Sequence, residues 1–203
     1  MNNLETQLNH GLIDLGYQPT SLQQHKLLAT IEYLQNANQN INLTAIKDPR
    51  KIVDLHVLDS LTIKPWMDVL APNARILDVG SGAGFPGIPL AIMYPNMHFQ
   101  LIDARRKKVD YLNQLIAHLE LINISTTHQR LEAVDMSPTM IIVRAVSSCS
   151  NLLKWSKHLG DVPMLMMKGQ YPKEELVKIH CPFECTQVHI PKCQDVRHIV
   201  CLN

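Results

Sequence analysis

A cluster of glycines marks the segment of the chain that is best suited to hold a ligand. The chain contains eight glycines, and four of them, at positions 80, 82, 84 and 87, lie within eight residues. Glycine has no Cβ atom, so it lets the backbone turn sharply and approach a bound molecule closely. An apolar run precedes the cluster and a helical pattern follows it, as a nucleotide-binding turn requires. The segment therefore predicts a ligand-binding loop rather than only a tight turn.

Two nucleotide-like ligands fit the pattern of this loop. Gly82, Gly84 and Gly87 satisfy the G-x-G-x-x-G pattern of dinucleotide sites. Asp78 followed by alternate glycines is instead the pattern of S-adenosylmethionine (SAM) sites. The Asp78 carboxylate would repel a pyrophosphate but attract the ammonium and sulfonium groups of SAM. Pro86 also lacks an N–H group that a pyrophosphate would use, so both points favour SAM.

Further residues extend the predicted site toward a nucleoside. Asp103 ends the next apolar run, where its carboxylate can accept hydrogen bonds from ribose hydroxyls and can also cap the following helix. The backbone of Leu131 and Glu132, after a third run, is placed to bind an adenine. The competing interpretation is that Arg130 and Glu132 form a solvated pair at a helix start, and the residues alone leave both open.

Arg144 and Lys168 follow the fourth and fifth apolar runs. A cation at a buried sheet edge is costly unless it meets an anion or hydrogen-bond acceptors. Arg144 is therefore expected to contact the methionine carboxylate of SAM or an RNA group, or else to form a structural ion pair. The same alternatives apply to Lys168.

The chain also contains polar and basic groups that suit an RNA surface. His56, Asp59 and Ser60 share one helix face, for which a structural role is favoured. Residues 105–108 form the one concentrated basic run, which is either a solvated helix turn or a phosphate-binding edge. The RNA-binding candidates are Arg50, Lys51, His56, Arg105, Arg106, Lys107 and Lys108.

The elements that must position these residues follow from hydrophobic patterning. Five short apolar runs alternate with helical patterns, which predicts an α/β fold with a mainly parallel, doubly wound sheet. Two late runs predict an antiparallel pair at its edge. Ligands of such folds bind beyond the carboxyl ends of the strands. The runs cover residues 75–79, 98–103, 124–128, 140–143 and 163–167, and the late pair covers 187–190 and 198–201.

The first seventy residues show no strand-like alternation and are predicted to be helical. Leucines three and four apart predict a helix over residues 4–16 that ends at Gly16. Ser21 is the expected N-cap of a second helix, and residues 51–61 form a third, short one. We therefore expect a helical N-terminal extension over residues 1–70 and a Rossmann-like domain over residues 71–203.

Composition limits the class of protein. The chain has 203 residues, a formal charge of +1 and 46% hydrophobic residues, which is typical of a globular protein and does not announce a strongly basic nucleic-acid binder. It shows no signal-peptide block and no apolar stretch long enough to cross a membrane. The number of cysteines, five, is odd, which favours reduced thiols in the cytoplasm, and no metal site is predicted.

One family shares these motifs in the same order over about residues 8–200. The matching segments are Asn42–Ile46, His56-x-x-Asp59-Ser60-Leu61, Asp78–Leu90, Arg130-x-Glu132, Arg144-Ala145 and Lys168-Gly169. The chain resembles the ribosomal RNA small-subunit methyltransferase G family, also called glucose-inhibited division protein B. The family often carries Lys-Arg where this chain has Lys107-Lys108, and lysine lacks the planar fork of arginine.

The resemblance implies a SAM-dependent enzyme that methylates N7 of guanine 527 in 16S rRNA. Its partner is then 16S rRNA or the small ribosomal subunit particle, with no membrane and no obligate protein partner. N7 carries a lone pair and no proton, so no nucleophile or general base is expected, and Arg144 and Lys168 are candidates to orient the guanine. The expected SAM-binding residues are Asp78, Gly80, Ser81, Gly82, Phe85, Asp103, Ala104, Leu131, Glu132 and Arg144.

Two alternatives remain at this point. The first is an NAD(P)-dependent oxidoreductase that uses Gly82, Gly84 and Gly87 with Asp103. The second is a non-catalytic ribosome-binding protein with a nucleotide fold.

Overall fold

A mixed seven-stranded sheet organises the protein. The computed structural model describes residues 3–202, and its strands lie in the order β3-β2-β1-β4-β5-β7-β6. The first five strands are parallel, whereas β7 runs antiparallel to β5 and β6 antiparallel to β7. The predicted mainly parallel sheet with a late antiparallel edge pair is confirmed. The strands are β1 Arg75–Val79, β2 His98–Asp103, β3 Ile124–His128, β4 Met140–Arg144, β5 Met164–Lys168, β6 Phe183–His189 and β7 Val196–Leu202.

Helices cover both faces of this sheet. Neighbouring residues of one strand enter different cores, because successive side chains of a strand point to opposite faces. Ile76 belongs to the core cluster that also contains residues of α1, α2, α6 and α7, whereas Leu77 belongs to the cluster that contains residues of α8. Two 3-10 turns, 131–133 and 157–159, follow β3 and α8. The α-helices are α1 Asn3–Asp14, α2 Ser21–Ala37, α3 Pro49–Ile52, α4 Asp59–Leu61, α5 Lys64–Met67, α6 Gly87–Met93, α7 Arg106–His118, α8 Cys149–Ser156 and α9 Lys173–Leu176.

The N-terminal helices share a core with the sheet. Leu8 and Leu12 of α1 and Leu27 and Ile31 of α2 are buried in the same cluster as one sheet face. Burial of such side chains stabilises the fold by about 2 kcal/mol each. The predicted boundary near residue 70 thus crosses a continuous core, and the division into two regions stays a prediction.

The predicted helix over residues 51–61 is present but is not regular. A π-helix, Val53–Leu58, connects α3 to α4. A π segment adds a residue to a helical turn and is frequent at functional sites. It changes the direction of the polar residues that follow it, and Asp59 is the first of these.

No helix among residues 3–202 combines the length and apolar character that crossing a membrane requires. Over the same residues the cysteines form no disulfide.

The prediction that Ser21 caps the second helix is wrong, because Thr20 is the N-cap. The Thr20 hydroxyl accepts a hydrogen bond from the Gln23 N–H at 3.2 Å. The Gln23 side chain in turn accepts one from the Thr20 N–H at 2.9 Å. This capping box satisfies two backbone donors reciprocally, and Ser21 is only the first helical residue.

We expect Thr20→Ala to lower the free energy of unfolding by about 1 kcal/mol, because the α2 cap is lost. Ser21→Ala, one residue along, is the matched control and should change it by less than about 0.5 kcal/mol. Urea denaturation measures both. Equal losses in the two variants would contradict the assignment of the cap.

Candidate active site

The glycine cluster forms a loop that is tied to the tip of β2. The Gly80 and Ser81 N–H groups both donate to the Ile102 carbonyl, at 2.8 and 3.1 Å. The Gly82 N–H donates to Asp103 Oδ2 at 3.1 Å. These bonds hold the loop at the carboxyl end of the sheet, the edge where ligands of open α/β folds bind.

Gly80 must be glycine for two reasons. Its φ is +68°, a conformation that other residues rarely adopt. A Cβ atom there would also lie 2.4 Å from Cγ2 of Val146. The missing side chain therefore lets the loop pack closely against Val146, which lines the same cavity.

A cavity of about 150 Å³ opens beside this loop. Its wall is mostly apolar, which suits a planar base, and the carboxylate of Asp103 suits ribose hydroxyls. These features fit the adenosine part of SAM. Half of the predicted cofactor residues line the cavity, namely Gly80, Asp103, Ala104, Leu131 and Glu132. The remaining lining residues are Val79, Ile102, Gln129, Arg130, Val146 and Trp155.

Asp103 supports the loop and lines the cavity with the same carboxylate. Oδ2 accepts from the Gly82 N–H, and Oδ1 accepts from the Arg105 N–H at 2.8 Å. Lys108 Nζ lies 4.0 Å from Oδ2. Each carboxylate oxygen has two acceptor positions, so one on each remains for a ligand. The prediction that Asp103 caps the following helix is wrong, because Arg105 is the N-cap of α7; Asp103 instead fixes the turn before that helix through the Arg105 N–H.

Asp78 lies beneath the glycine loop rather than in the cavity wall. It is 1% exposed, and its Oδ2 accepts from the Gly87 N–H at 3.0 Å. Oδ1 has no hydrogen-bond partner among the described residues. Burial raises the pKa of this carboxyl to about 7, since the charged form loses hydration. Asp78 thus supports the loop from below, and its contact with the ammonium group of SAM stays a prediction.

Ser81, Gly82 and Phe85 belong to the loop without lining the cavity. The Ser81 hydroxyl donates to the Asp78 carbonyl at 3.0 Å. Phe85 is buried and stacks on His56, with 4.9 Å between ring centroids. These residues shape the loop, and their direct contact with SAM stays a prediction.

Arg144, at the end of β4, forms a buried ion pair. Its Nη1 donates to Asp59 Oδ2 at 3.0 Å and to the Leu55 carbonyl at 3.2 Å. Its guanidinium lies 5.4 Å from the centre of the Phe85 ring, within the range of a cation–π interaction. The structural ion pair that the sequence left open is therefore present, beside the glycine loop.

His56 joins the same cluster as a neutral group. Its Nε2 lies 2.8 Å from Thr44 Oγ1, and its Nδ1 lies 3.4 Å from Arg144 Nη2. Burial, and then the charge of Arg144, lower the pKa of His56 to about 4. Its imidazole is uncharged at pH 7, so any contact with RNA would use the neutral ring.

Lys168, at the end of β5, is also paired. Its Nζ donates to Glu175 Oε2 at 2.8 Å and to the Ser147 carbonyl at 3.1 Å. The same Glu175 oxygen accepts from the Cys149 N–H at 2.8 Å. Both residues predicted to orient guanine thus sit at the predicted sheet edge, and both have a carboxylate partner.

The predicted RNA-binding cations lie on two different elements. Residues 105–107 are exposed at the start of α7, whereas Lys108 turns inward toward Asp103. Arg50 and Lys51 are exposed on α3. The exposed members are available to phosphates, and their role stays a prediction.

Sequence patterns did not single out Trp155, Val146 or Arg197 as site residues. Trp155 and Val146 line the cavity from α8 and from the segment before it. Arg197 Nε donates to Asp59 Oδ1 at 3.1 Å. Two signals were available for Arg197: the pair Arg197-His198 matches the family within a tail that otherwise matches it loosely, and Arg197 adjoins the apolar run of β7 as Arg144 adjoins that of β4.

Two solved structures share this fold. A mutant of MtNAS in complex with S-adenosylmethionine aligns with a TM-score of 0.60 at 10% identity, covering 90% of this chain and 76% of that one. A SAM-dependent methyltransferase from Aquifex aeolicus aligns with a TM-score of 0.55 at 16% identity, covering 85% and 97%. These likenesses show the fold class: a Rossmann-like α/β fold.

Sequence comparison identifies the family to which the chain belongs. The family model GidB, rRNA small subunit methyltransferase G, matches residues 23–200. Proteins named ribosomal RNA small subunit methyltransferase G in Pseudomonas fluorescens (strain Pf0-1) and Pseudomonas aeruginosa (strain LESB58) are 40% and 37% identical over 204 residues. Each alignment covers 97% of this chain and 94% of the relative. The chain belongs to the rRNA small subunit methyltransferase G family, which confirms the predicted family and cofactor and favours them over an oxidoreductase.

Gly80→Ala should weaken SAM binding by more than about tenfold, because the new Cβ closes the loop onto Val146 and strains the backbone. Gly160→Ala is the matched control: Gly160 also has a positive φ, +78°, but a Cβ there meets nothing within 4 Å. It should lose stability and keep its SAM affinity. Isothermal titration calorimetry with SAM measures both, and unchanged affinity in Gly80→Ala would refute the site.

The raised pKa of Asp78 predicts a pH dependence of stability. Between about pH 4 and 7 the folded protein binds a proton at Asp78 that the unfolded chain releases. The free energy of unfolding contributed by this group therefore falls as pH rises through that window. Asp78→Asn removes the effect. We expect the variant to gain stability relative to the wild type from pH 5 to 7, with a plateau above. Urea unfolding of both proteins at each pH tests this, and a constant difference would contradict it.

Proposed function

We propose that this protein transfers the methyl group of SAM to N7 of guanine 527 in 16S rRNA. Membership of the rRNA small subunit methyltransferase G family supports an rRNA substrate. The observation that carries the choice of N7 is the chemistry of the sheet edge. There, a guanidinium and a neutral imidazole stand beside the glycine loop, and the carboxylate that contacts the guanidinium, Asp59, accepts hydrogen bonds from two arginines.

This chemistry suits an acceptor atom that carries no proton. Bound SAM supplies an electrophilic methyl group on a sulfonium. Guanine N7 has a free lone pair, so attack requires no general base, in contrast to methylation of an exocyclic amine. The carboxylates of this edge, Asp59, Asp78 and Asp103, accept hydrogen bonds from the chain itself. Positioning and electrostatics then supply the acceleration.

The cavity residues bind the nucleoside of the cofactor. In this proposal Asp103 accepts hydrogen bonds from the ribose, and the backbone of Leu131 and Glu132 binds the adenine. Gly80 permits the close approach of the backbone. Trp155 and Val146 exclude water from the base.

The cations at the strand ends orient the guanine. Arg144 has five N–H donors, and its two nitrogens Nη1 and Nη2 serve Asp59, Leu55 and His56. Its Nε–H and the second Nη2–H remain for acceptors. Lys168 uses two of its three donors within the protein. One donor from either residue would recognise guanine O6, as in groove readout.

The exposed cations bind the RNA backbone. Arg105 and Lys107 are exposed at the start of α7, and Arg106 pairs with Asp110 at the surface. Such an exposed pair contributes little, about 0–1 kcal/mol, so Arg106 can exchange it for a phosphate. Arg50 and Lys51 extend this surface on α3.

The test is methyl transfer from labelled SAM to RNA that lacks the modification. We expect 7-methylguanine at position 527, located by chemical cleavage of the modified RNA. Naked 16S rRNA and small ribosomal subunits serve as separate substrates and distinguish the two partners. Gly80→Ala is the negative control. Transfer to another position would overturn the target, and no transfer to either substrate would overturn the enzymatic function.

A further inference from the structure

One carboxylate holds two arginines that come from distant parts of the chain. Asp59 Oδ2 accepts from Arg144 Nη1 at 3.0 Å, and Asp59 Oδ1 accepts from Arg197 Nε at 3.1 Å. The Asp59 side chain is 6% exposed, and those of the arginines are 16% and 20% exposed. The three residues lie on α4, at the end of β4 and on β7. Both oxygens of the carboxylate are thus used to fix two guanidiniums side by side.

Arg197 lies at the same edge of the sheet as the cofactor cavity. β7 is antiparallel to β5, and the register pairs His198 with Lys168, the last residue of β5. The beginning of β7 therefore meets the carboxyl ends of the parallel strands. This arrangement brings Arg197 to the edge where Arg144 and the glycine loop lie.

The cluster carries more positive charge than its carboxylate neutralises. Two guanidiniums share Asp59, and His56 is neutral. Asp78 also interacts with Arg144, but burial raises its pKa to about 7, so it carries only part of a negative charge at pH 7. Among the described residues, Arg197 has a second carboxylate nearby in Asp195, whose Oδ2 lies 3.7 Å from Nη2 and whose side chain is 56% exposed. Water screens an exposed pair of this kind. The excess positive charge therefore lies on the guanidinium groups of Arg144 and Arg197, whose side chains are mostly buried.

Both arginines keep N–H groups that have no partner among residues 3–202. Arg197 spends Nε on Asp59 and one Nη1 hydrogen on the Val196 carbonyl, at 3.4 Å. The second Nη1 hydrogen and those of Nη2 remain, apart from the distant Asp195. Two planar guanidinium groups that are held in place can donate hydrogen bonds to the oxygens of a tetrahedral anion such as a phosphate.

We propose that Asp59 is a positioning residue, and that it presents Arg144 and Arg197 together as a binding site for a backbone phosphate of the RNA next to the target nucleotide. The proposal rests on the function proposed above, because that RNA supplies the phosphate. The ion pairs with Asp59 hold both guanidinium groups in place before RNA binds, so less conformational entropy is lost on binding. The methionine carboxylate of SAM offers similar chemistry, and the test separates the two anions.

The first measurement is the salt dependence of binding to small ribosomal subunits that lack the modification. A protein that neutralises phosphates releases counterions, and each contact contributes about 0.7 to the slope of log K against log salt for single-stranded nucleic acid. We expect Arg197→Gln to reduce the magnitude of this slope by about that amount. Arg75→Gln is the control: Arg75 is an exposed cation at the start of β1, on the opposite edge of the sheet. Its slope should equal that of the wild type.

The second measurement isolates the role of Asp59. Asp59→Asn should weaken RNA binding, and the double variant Asp59→Asn/Arg197→Gln should bind nearly as Arg197→Gln does. Such non-additivity is expected when one residue acts through the other. A residue that only stabilises the fold would lower the melting temperature and add its loss of affinity to that of Arg197→Gln. If Asp59→Asn does not fold, the slope of Arg197→Gln still decides the phosphate contact.

The outcomes are distinct. An unchanged slope in Arg197→Gln, or additive losses in the double variant, overturns the proposal. A weaker affinity of Arg197→Gln for SAM with unchanged RNA binding assigns the site to the methionine carboxylate and also overturns it. Wild-type protein that binds the particle but methylates no guanine contradicts the proposed function instead, because binding is measured without catalysis.

Discussion

The attachment of the glycine loop to the tip of β2 is the constraint on which the active edge depends. The Ile102 carbonyl and the Asp103 carboxylate accept the N–H groups of three consecutive loop residues, 80–82. Asp78 holds the far end of the loop from beneath, through the Gly87 N–H. These bonds need β1 and β2 to end at the same level, which the parallel pairing of Val79 with Ile102 provides. The cavity, the placement of Phe85 and the neighbouring arginine cluster all follow from this arrangement.

Much of the fold was predictable from the sequence because its signals are local. Continuous apolar runs typify strands that are buried on both faces, and glycine spacing identified the loop. Contacts between distant segments were not predictable. Asp59 and Arg197 are separated by 138 positions, and no pattern states that they meet. The cap of α2 was misplaced by one residue because Thr20 and Ser21 are both good caps, and only the partner Gln23 decides between them.

The charged groups at this edge are held in place rather than free. Arg144, Arg197 and Lys168 each have a carboxylate partner at about 3 Å. The pairs of Asp59 are largely buried and add little net stability, since desolvation offsets their attraction, and the pair of Lys168 with the more exposed Glu175 is weakened by water. What they provide is orientation: each cation keeps its remaining donors in one direction.

The π-helix between α3 and α4 determines the direction in which the Asp59 side chain points. Each residue of a helix turns the next by about 100°, so the extra residue in Val53–Leu58 rotates everything after it. A deletion of one residue in this segment would restore a regular helix and swing the carboxylate away from both arginines. A substitution in this segment changes only a side chain, whereas an insertion or a deletion would break the ion pairs of Asp59 with Arg144 on β4 and Arg197 on β7. Functional relatives are therefore expected to vary in composition across this turn but to keep its number of residues constant.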